Sequence, residues 1–228
     1  MSDGQTARRH VPLELEVLTH RATAAMRRGA FPGVADRPGR GNGAEPRWVP
    51  VPAAVACGTT LAARTEAAAL AARLGCGEPR ADERLDPAAA GAWAGARLDE
   101  VDPVAAAAWL ADPAFTVPGG ESDAAMHARA ADWLDALFDA AGPMLAVVHP
   151  AVARSLAAHA IGADAAAARR LEIGPGASVL LVRRGRWCLR AMEPAGRVGT
   201  AGKRLSPGRV PASPAPERPA PSPGRDRP

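Results

Sequence analysis

Met144-Leu145-Ala146-Val147-Val148-His149 is the stretch on which the fold turns. Gly142-Pro143 stops whatever helix precedes it, and five apolar residues in a row then follow. After such a stop the run is too short for a helix and fits a strand buried on both faces of a parallel sheet. Ala151 to Ile161 next reads as a helix, with Gly162 as its stop. The same order occurs at the start of the chain. Leu13-Glu14-Leu15-Glu16-Val17-Leu18 alternates and then turns apolar, as a first strand would. Thr19-His20 follows, and Thr23 to Gly29 begins a helix. Strand, histidine and helix therefore appear twice.

Between and beyond these two units the pattern continues. Residues 33–47 are rich in Gly, Pro and Arg and read as a loop. Ala53 to Cys57 is a short strand, and Thr59 to Leu74 is a helix of Ala, Leu, Glu and Arg closed by Gly75. A short strand is expected near Pro79–Leu85, and a short helix over Val104–Leu110 ended by Asp112-Pro113. Ser122 or Asp123 caps the next helix, whose apolar face is Met126, Ala130, Trp133, Leu134, Leu137, Phe138 and Ala141. Ser178–Val182 and Trp187–Arg190, joined by Arg183-Arg184-Gly185-Arg186, form a closing hairpin. Alternating strands and helices predict an α/β fold, a three-layer α/β/α sandwich whose mostly parallel sheet carries helices on both faces.

The 228 residues, 47% of them hydrophobic, suffice for one sizeable core. Alanine supplies 56 and arginine outnumbers lysine 27 to 1, a bias that reads as GC-rich coding rather than function. No run of 18 apolar residues is free of charge, and the first ten residues lack the apolar core of a secretory signal, so no membrane partner is expected. Cys57, Cys76 and Cys188 form no CxxC pair, and a reduced, cytoplasmic setting is expected. The net charge of +4 is uneven: residues 194–228 hold seven basic groups against two acidic, leaving 21 against 22 elsewhere. A near-neutral domain lacks a nucleic-acid footprint, so nucleic acid is not an expected partner. Nine prolines among those last 35 residues, with no apolar side chain larger than alanine beyond Val198, Leu205 and Val210 apart from the prolines, read as a disordered Pro/Arg-rich tail. The expected organisation is a loose 1–12, a folded 13–193 and the tail 194–228. Gly196 to Lys203 has the wrong spacing for a phosphate-binding P-loop, carries Arg204 in place of Ser/Thr, and follows no strand.

Ligands of open α/β sheets bind beyond the carboxyl ends of the strands. His20 and His149 each stand directly after a strand, so they are candidates for one pocket, one as nucleophile and one as donor or base. His10 and His127 lack partners at metal-ligand spacing, and no metal site is expected. His159 reads as a surface or helix-packing residue. Trp93, Trp109, Trp133 and Trp187 read as core or interface, and Cys57 as a small buried residue.

The ordered motifs Thr19-His20-Arg21-Ala22-Thr23, Cys57-Gly58-Thr59-Thr60-Leu61-Ala62-Ala63-Arg64-Thr65-Glu66-Ala67, Gly91-Ala92-Trp93-Ala94-Gly95, Pro118-Gly119-Gly120-Glu121-Ser122 and Val147-Val148-His149-Pro150 to Arg154 give the chain a family likeness. Over about residues 13–191 it resembles the histidine phosphatases, the phosphoglycerate mutase-like superfamily. The resemblance implies a cofactor-independent phosphoryl-transfer pocket for a small phosphorylated molecule. It makes His20 the nucleophile that becomes phosphohistidine, His149 a donor to the phosphate, and a carboxylic acid the proton source for the leaving oxygen.

The sequence also departs from that pattern. Thr19 stands where the family has its first arginine, Arg21 replaces a glycine, and Leu61 replaces the second motif's arginine. The usual acid before Gly91 falls on Pro87, beside Asp86. One cation about 4 Å from a phosphate is worth on the order of 4 kcal/mol before desolvation at an effective dielectric near 20. The phosphate-binding set expected instead is Thr19, Arg21, Arg28 and Arg154, with Arg154 one helical turn past His149 and Arg27 and Arg64 on solvated faces. Glu121 is the candidate acid; its other reading is a helix N-terminal charge. Two functions remain open. One is weak phosphomonoester hydrolysis through phospho-His20. The other is a catalytically degenerate relative that binds a phosphorylated ligand or a protein.

Overall fold

A computed structural model of the chain describes residues 13–40, 45–49, 51–137 and 142–195. The expected loose N-terminus, nearly all of the expected tail, and Phe138 and Ala141 of the expected helix face lie outside the described residues.

Six strands form one sheet: β1 (Leu13–Thr19), β2 (Ala54–Cys57), β3 (Arg80–Ala81), β4 (Met144–Val148), β5 (Ser178–Arg184) and β6 (Arg186–Glu193). Their order is β3-β2-β4-β1-β5-β6. The first four in that order run parallel, while β5 is antiparallel to β1 and to β6. The helices are α1 (Ala24–Arg27), α2 (Leu61–Leu74), α3 (Pro103–Ala111), α4 (Asp123–Ala136), α5 (Pro150–Ala160) and α6 (Ala165–Ala168).

The alternation of side chains along each strand builds two cores. On one face Leu15 and Val17 of β1, Ala146 and Val148 of β4, and Leu181 of β5 meet Trp133 and Leu134 of α4 and Leu156 of α5. On the other, Leu18, Val55, Leu145, Val147 and Leu180 meet Ala67 and Leu70 of α2. This is the three-layer α/β/α sandwich that the alternating elements predict.

Local chemistry moves some boundaries. α2 starts at Leu61 rather than Thr59, because the Thr59 and Thr60 N–H groups turn to the Asp86 carboxylate (2.5 and 3.3 Å). The strand expected over 79–85 shrinks to Arg80–Ala81: Asp82 accepts from the Arg84 N–H (3.0 Å) and starts a 3-10 turn over Glu83–Leu85. α3 gains Pro103 at its first turn, capped by Asp102. Gly75 ends α2 in the left-handed region (φ 68°).

Glu16 interrupts the apolar run of β1 and has no exposed surface. Its carboxylate accepts the N–H groups of Arg47 (2.8 Å), Trp48 (3.0 Å) and Val49 (2.9 Å), and the Ser178 hydroxyl (2.5 Å). A buried carboxylate is tolerable only when satisfied in this way. It ties segment 45–49 and β5 to the centre of the sheet, and that segment sets Val49 against the α2 core. Glu16→Ala leaves the part-buried Arg47 and Trp48 N–H groups and the buried Val49 N–H without acceptors and is expected to cost about 2–4 kcal/mol in denaturant unfolding. A loss under about 1 kcal/mol would show that the clamp contributes nothing net.

Candidate active site

The register of β1 on β4 places Thr19 opposite Val148. The next residues, His20 and His149, therefore leave the sheet side by side, and the His20 N–H still donates to the Val148 carbonyl (3.0 Å). Their ring centroids lie 5.4 Å apart with planes inclined at 58°.

The two rings hold opposite tautomers. His20 Nδ1 lies 2.9 Å from the Arg21 carbonyl, which only accepts, so Nδ1 carries the proton and Nε2 keeps a free lone pair. His149 is the N-cap of α5, and its Nδ1 accepts from the Ala151 N–H (3.1 Å). Its proton therefore sits on Nε2, which is buried and has no hydrogen-bond partner. Burial holds both imidazoles below their ordinary value. For His20 the Arg21 carbonyl and the Glu66 and Asp36 charges partly offset it. For His149 burial, helped by His20 and Arg154, takes the pKa down to about 3. Both rings are neutral at pH 7.

A cavity of about 600 Å³ opens beside His149. Arg154, Glu121, Asp123 and Arg169 line it, with Phe31, Trp109 and Leu110 among its apolar walls. His20 lies against the His149 ring and is only 2% exposed. Arg154 has no hydrogen bond or ion pair among the described residues; burial lowers its pKa and the Asp123 charge opposes that. Such a guanidinium beside an unpartnered imidazole N–H is a site for an anion.

Glu121 is held differently. Arg129 grips it bidentately (Nε–Oε1 2.8 Å, Nη2–Oε2 2.7 Å) and donates also to the Glu83, Arg84 and Pro87 carbonyls. The backbone that carries Glu121 is fixed by two glycines. A Cβ on Gly91 would lie 2.4 Å from the Pro118 carbonyl oxygen, and one on Gly120 would lie 2.3 Å from that of Ala89. The Gly91 and Gly120 motifs thus dock backbone to backbone, with the Glu121 N–H donating to the Ala89 carbonyl (2.9 Å). Ser122 rather than Asp123 caps α4.

Three residues of the expected phosphate set lie elsewhere. Thr19 is fully buried, and its hydroxyl donates to the Gly174 carbonyl (2.8 Å) and accepts from the Ala177 N–H (2.8 Å). It pins the turn before β5, and Thr19 is not among the residues that line the cavity. Arg21 pairs with Glu66 (2.8 Å) on the α2 side of the sheet, in a cleft of about 50 Å³ that neither histidine lines. Arg28 faces a shallow groove with Arg97 and Asp99. Only Arg154 of the four lines the cavity with His149. Asp86 is committed to the Thr59 hydroxyl and the start of α2. Burial pushes the Cys57 thiol up to about 11, which leaves it a small buried residue.

Sequence reading missed Arg169. It lies just past α6, where its Nε donates to Asp123 (2.8 Å), its Nη1 to the Trp109 carbonyl (2.8 Å), and its guanidinium sits over the Trp109 ring at 5.3 Å. No periodicity marks it. Nor did spacing show that His127 and His159, on α4 and α5, bring their rings to 6.4 Å. No cluster of three metal-ligating side chains exists among the described residues, and no described helix is long and apolar enough to cross a membrane.

The sequence profile of the histidine phosphatase superfamily, branch 1, matches residues 49–193. The chain belongs to that superfamily. The match takes in Glu121 and His149 and begins beyond His20. Solved structures agree in fold. A mycobacterial protein described as hydrolase 1 shares 19% identity and a TM-score of 0.67, over 82% of this chain and all of that one. YhfR of Bacillus stearothermophilus shares 19% at 0.66, over 81% of this chain and 98% of its own. The mycobacterial glucosyl-3-phosphoglycerate phosphatase, solved with VO3, shares 20% at 0.64, over 80% and 99%. No curated protein matches in sequence.

Because His149 is charged in the unfolded chain below about pH 6.5 but neutral in the folded one down to about 3, the unfolded state binds the extra proton across that window. Its contribution is complete above 6.5 and falls by about 1.4 kcal/mol per pH unit below it. Unfolding titrations from pH 7 to 4 should show that slope, and His149→Gln should flatten it by the same amount. An unchanged slope in the variant would place the acid sensitivity elsewhere.

Proposed function

We propose that the protein hydrolyses small phosphomonoesters through a phosphohistidine at His20. The observation that carries this reading is the complementary pair of tautomers. His20, with a free Nε2 lone pair, has its ring 5.4 Å from that of His149, whose unpartnered Nε2–H side lines the cavity together with the unpaired Arg154 guanidinium, while His20 itself lies just behind that lining. His20 Nε2 attacks phosphorus and the ester P–O bond breaks, while the His149 N–H and Arg154 hold the phosphoryl oxygens. Glu121 gives its proton to the leaving oxygen. Water then attacks phosphorus, its proton passes to the Glu121 carboxylate, and the His20 lone pair returns. The family membership and a relative named as a glucosyl-3-phosphoglycerate phosphatase support this class of reaction.

The same features argue for a slow enzyme. Arg154 is the one cation of the expected phosphate set that lines the cavity with His149. Arg129 hydrogen-bonds both carboxylate oxygens of Glu121, and these bonds compete with its contact to the leaving oxygen.

His20→Ala is expected to abolish both turnover and acid-labile phosphoprotein, read by initial rates and radiolabelled substrate. Wild-type activity in that variant would remove His20 as nucleophile. Arg154→Met is expected to weaken inhibition by orthovanadate by about 10- to 100-fold. Tight phosphate or vanadate binding by the wild type, without phosphoprotein, would instead favour a binding protein that has kept the pocket and lost the chemistry.

A further inference from the structure

We infer that the alcohol half of the substrate is an apolar, ring-bearing group rather than a sugar or glycerate. This inference rests on the phosphatase reading and names the substrate class of the same site.

The argument starts from what lines the cavity besides the phosphate-holding groups. Phe31, Pro32, Leu98, Trp109, Leu110 and Val117 supply the apolar walls. The two aromatic walls are fixed from behind. Phe31 stands 5.3 Å from Trp109 edge-on and 5.2 Å from Trp93, and Trp93 stacks on Phe115 at 5.9 Å. Arg169 covers Trp109 and binds the backbone carbonyls of Trp109 and Leu110. Aromatic contacts at these separations and angles hold the rings in place, so the walls are preformed.

Most charges along these walls are already paired, with Arg169 Nη2 left as one buried donor without a partner. Arg169 is neutralised by Asp123 and Glu121 by Arg129. Arg154 is left for the phosphate. A polyol seated here would lose water from all its hydroxyls, and Arg169 Nη2 is the one unpartnered buried donor that the described cavity walls offer in return, which is unfavourable for a group with several hydroxyls. A second anionic group would meet no uncompensated cation among the cavity residues. A ring loses only hydration that it gains by shedding, and Phe31 and Trp109 offer it faces and edges.

The test compares 2-phenylethyl phosphate with glycerol 3-phosphate, both esters of primary alcohols, so that leaving-group chemistry is matched. In the wild type kcat/KM should favour the phenylethyl ester by at least about tenfold, the scale of one well-buried ring. Trp109→Ala should cut that ratio at least about fivefold and Trp109→Phe should restore most of it; Leu110→Ser, at a more exposed wall position, should lower it in a protein of unchanged melting temperature. Calorimetry on the unreactive His20→Ala protein should give the same order of affinities for the two esters.

Equal or reversed preference, with both activities lost in His20→Ala, overturns the ring-bearing substrate and leaves the phosphatase reading intact. Failure of the wild type to hydrolyse either ester overturns the phosphatase reading. The calorimetric order then decides the inference alone: tighter phenylethyl phosphate supports it, and equal affinity ends it.

Discussion

The pairing of β1 with β4 is the constraint from which the site follows. Two parallel strands in register end together, so whatever residue follows each is delivered to the same edge of the sheet. Here those residues are both histidines. Once side by side, they are told apart by what each Nδ1 meets. The chain after His20 turns a carbonyl toward the ring, whereas the chain after His149 opens a helix and turns an N–H toward it. The polarity of two backbone groups therefore assigns one ring as electron-pair donor and the other as proton donor. No charged partner is needed for that difference, and burial keeps both rings in the neutral state on which it depends.

That register needs the sheet to be anchored on its other side, and two polar residues of β1 do this. Glu16 holds β5 through Ser178 and brings the 45–49 segment over the α2 face. Thr19 holds the turn at Gly174–Ala177 from which β5 begins. Both are buried where an all-apolar strand would be simpler. Each replaces a nonspecific contact with a set of directed bonds that only one register satisfies. Thr19 is the clearest case of a residue whose meaning changes with the structure. In the linear motif it looks like an eroded phosphate ligand, whereas in the fold it is a fastening for the sheet.

How much of this could be read in the sequence differs between backbone and side chains. The strand–histidine–helix units were legible because five apolar residues after Gly-Pro, or an alternating run before a polar pair, leave few alternatives. α2 and α4 were legible through Gly75 and Ser122. The short β3 was not sharply legible, because two exposed residues carry no periodicity and Asp82 redirects the chain through a side-chain bond. Within the site, His20 and His149 come from position along strands, which sequence shows. Arg21 directly follows His20 and Arg154 follows His149 by five residues; one points to Glu66 and the other to the cavity. Arg21 is drawn aside by a partner 45 residues away, which no local pattern reports. Arg169 and Trp109 meet across 60 residues for the same reason.

The balance of charge inside the cavity has a consequence for how strongly it can act. A phosphate dianion asks for about two compensating charges. Arg154 offers one, and the His149 N–H adds a dipole but no full charge while the ring is neutral. Protonating His149 would supply the second, but burial holds the ring neutral and its Nδ1 already accepts the Ala151 N–H. Apolar contact with Phe31 and Trp109 could make up that shortfall for an ester, since binding energy gained away from the reacting atoms is available to the atoms that react. On the proposed phosphatase reading, the aromatic wall and the single unpaired cation are one arrangement: the fewer the fixed cations, the more the ester's other half must contribute.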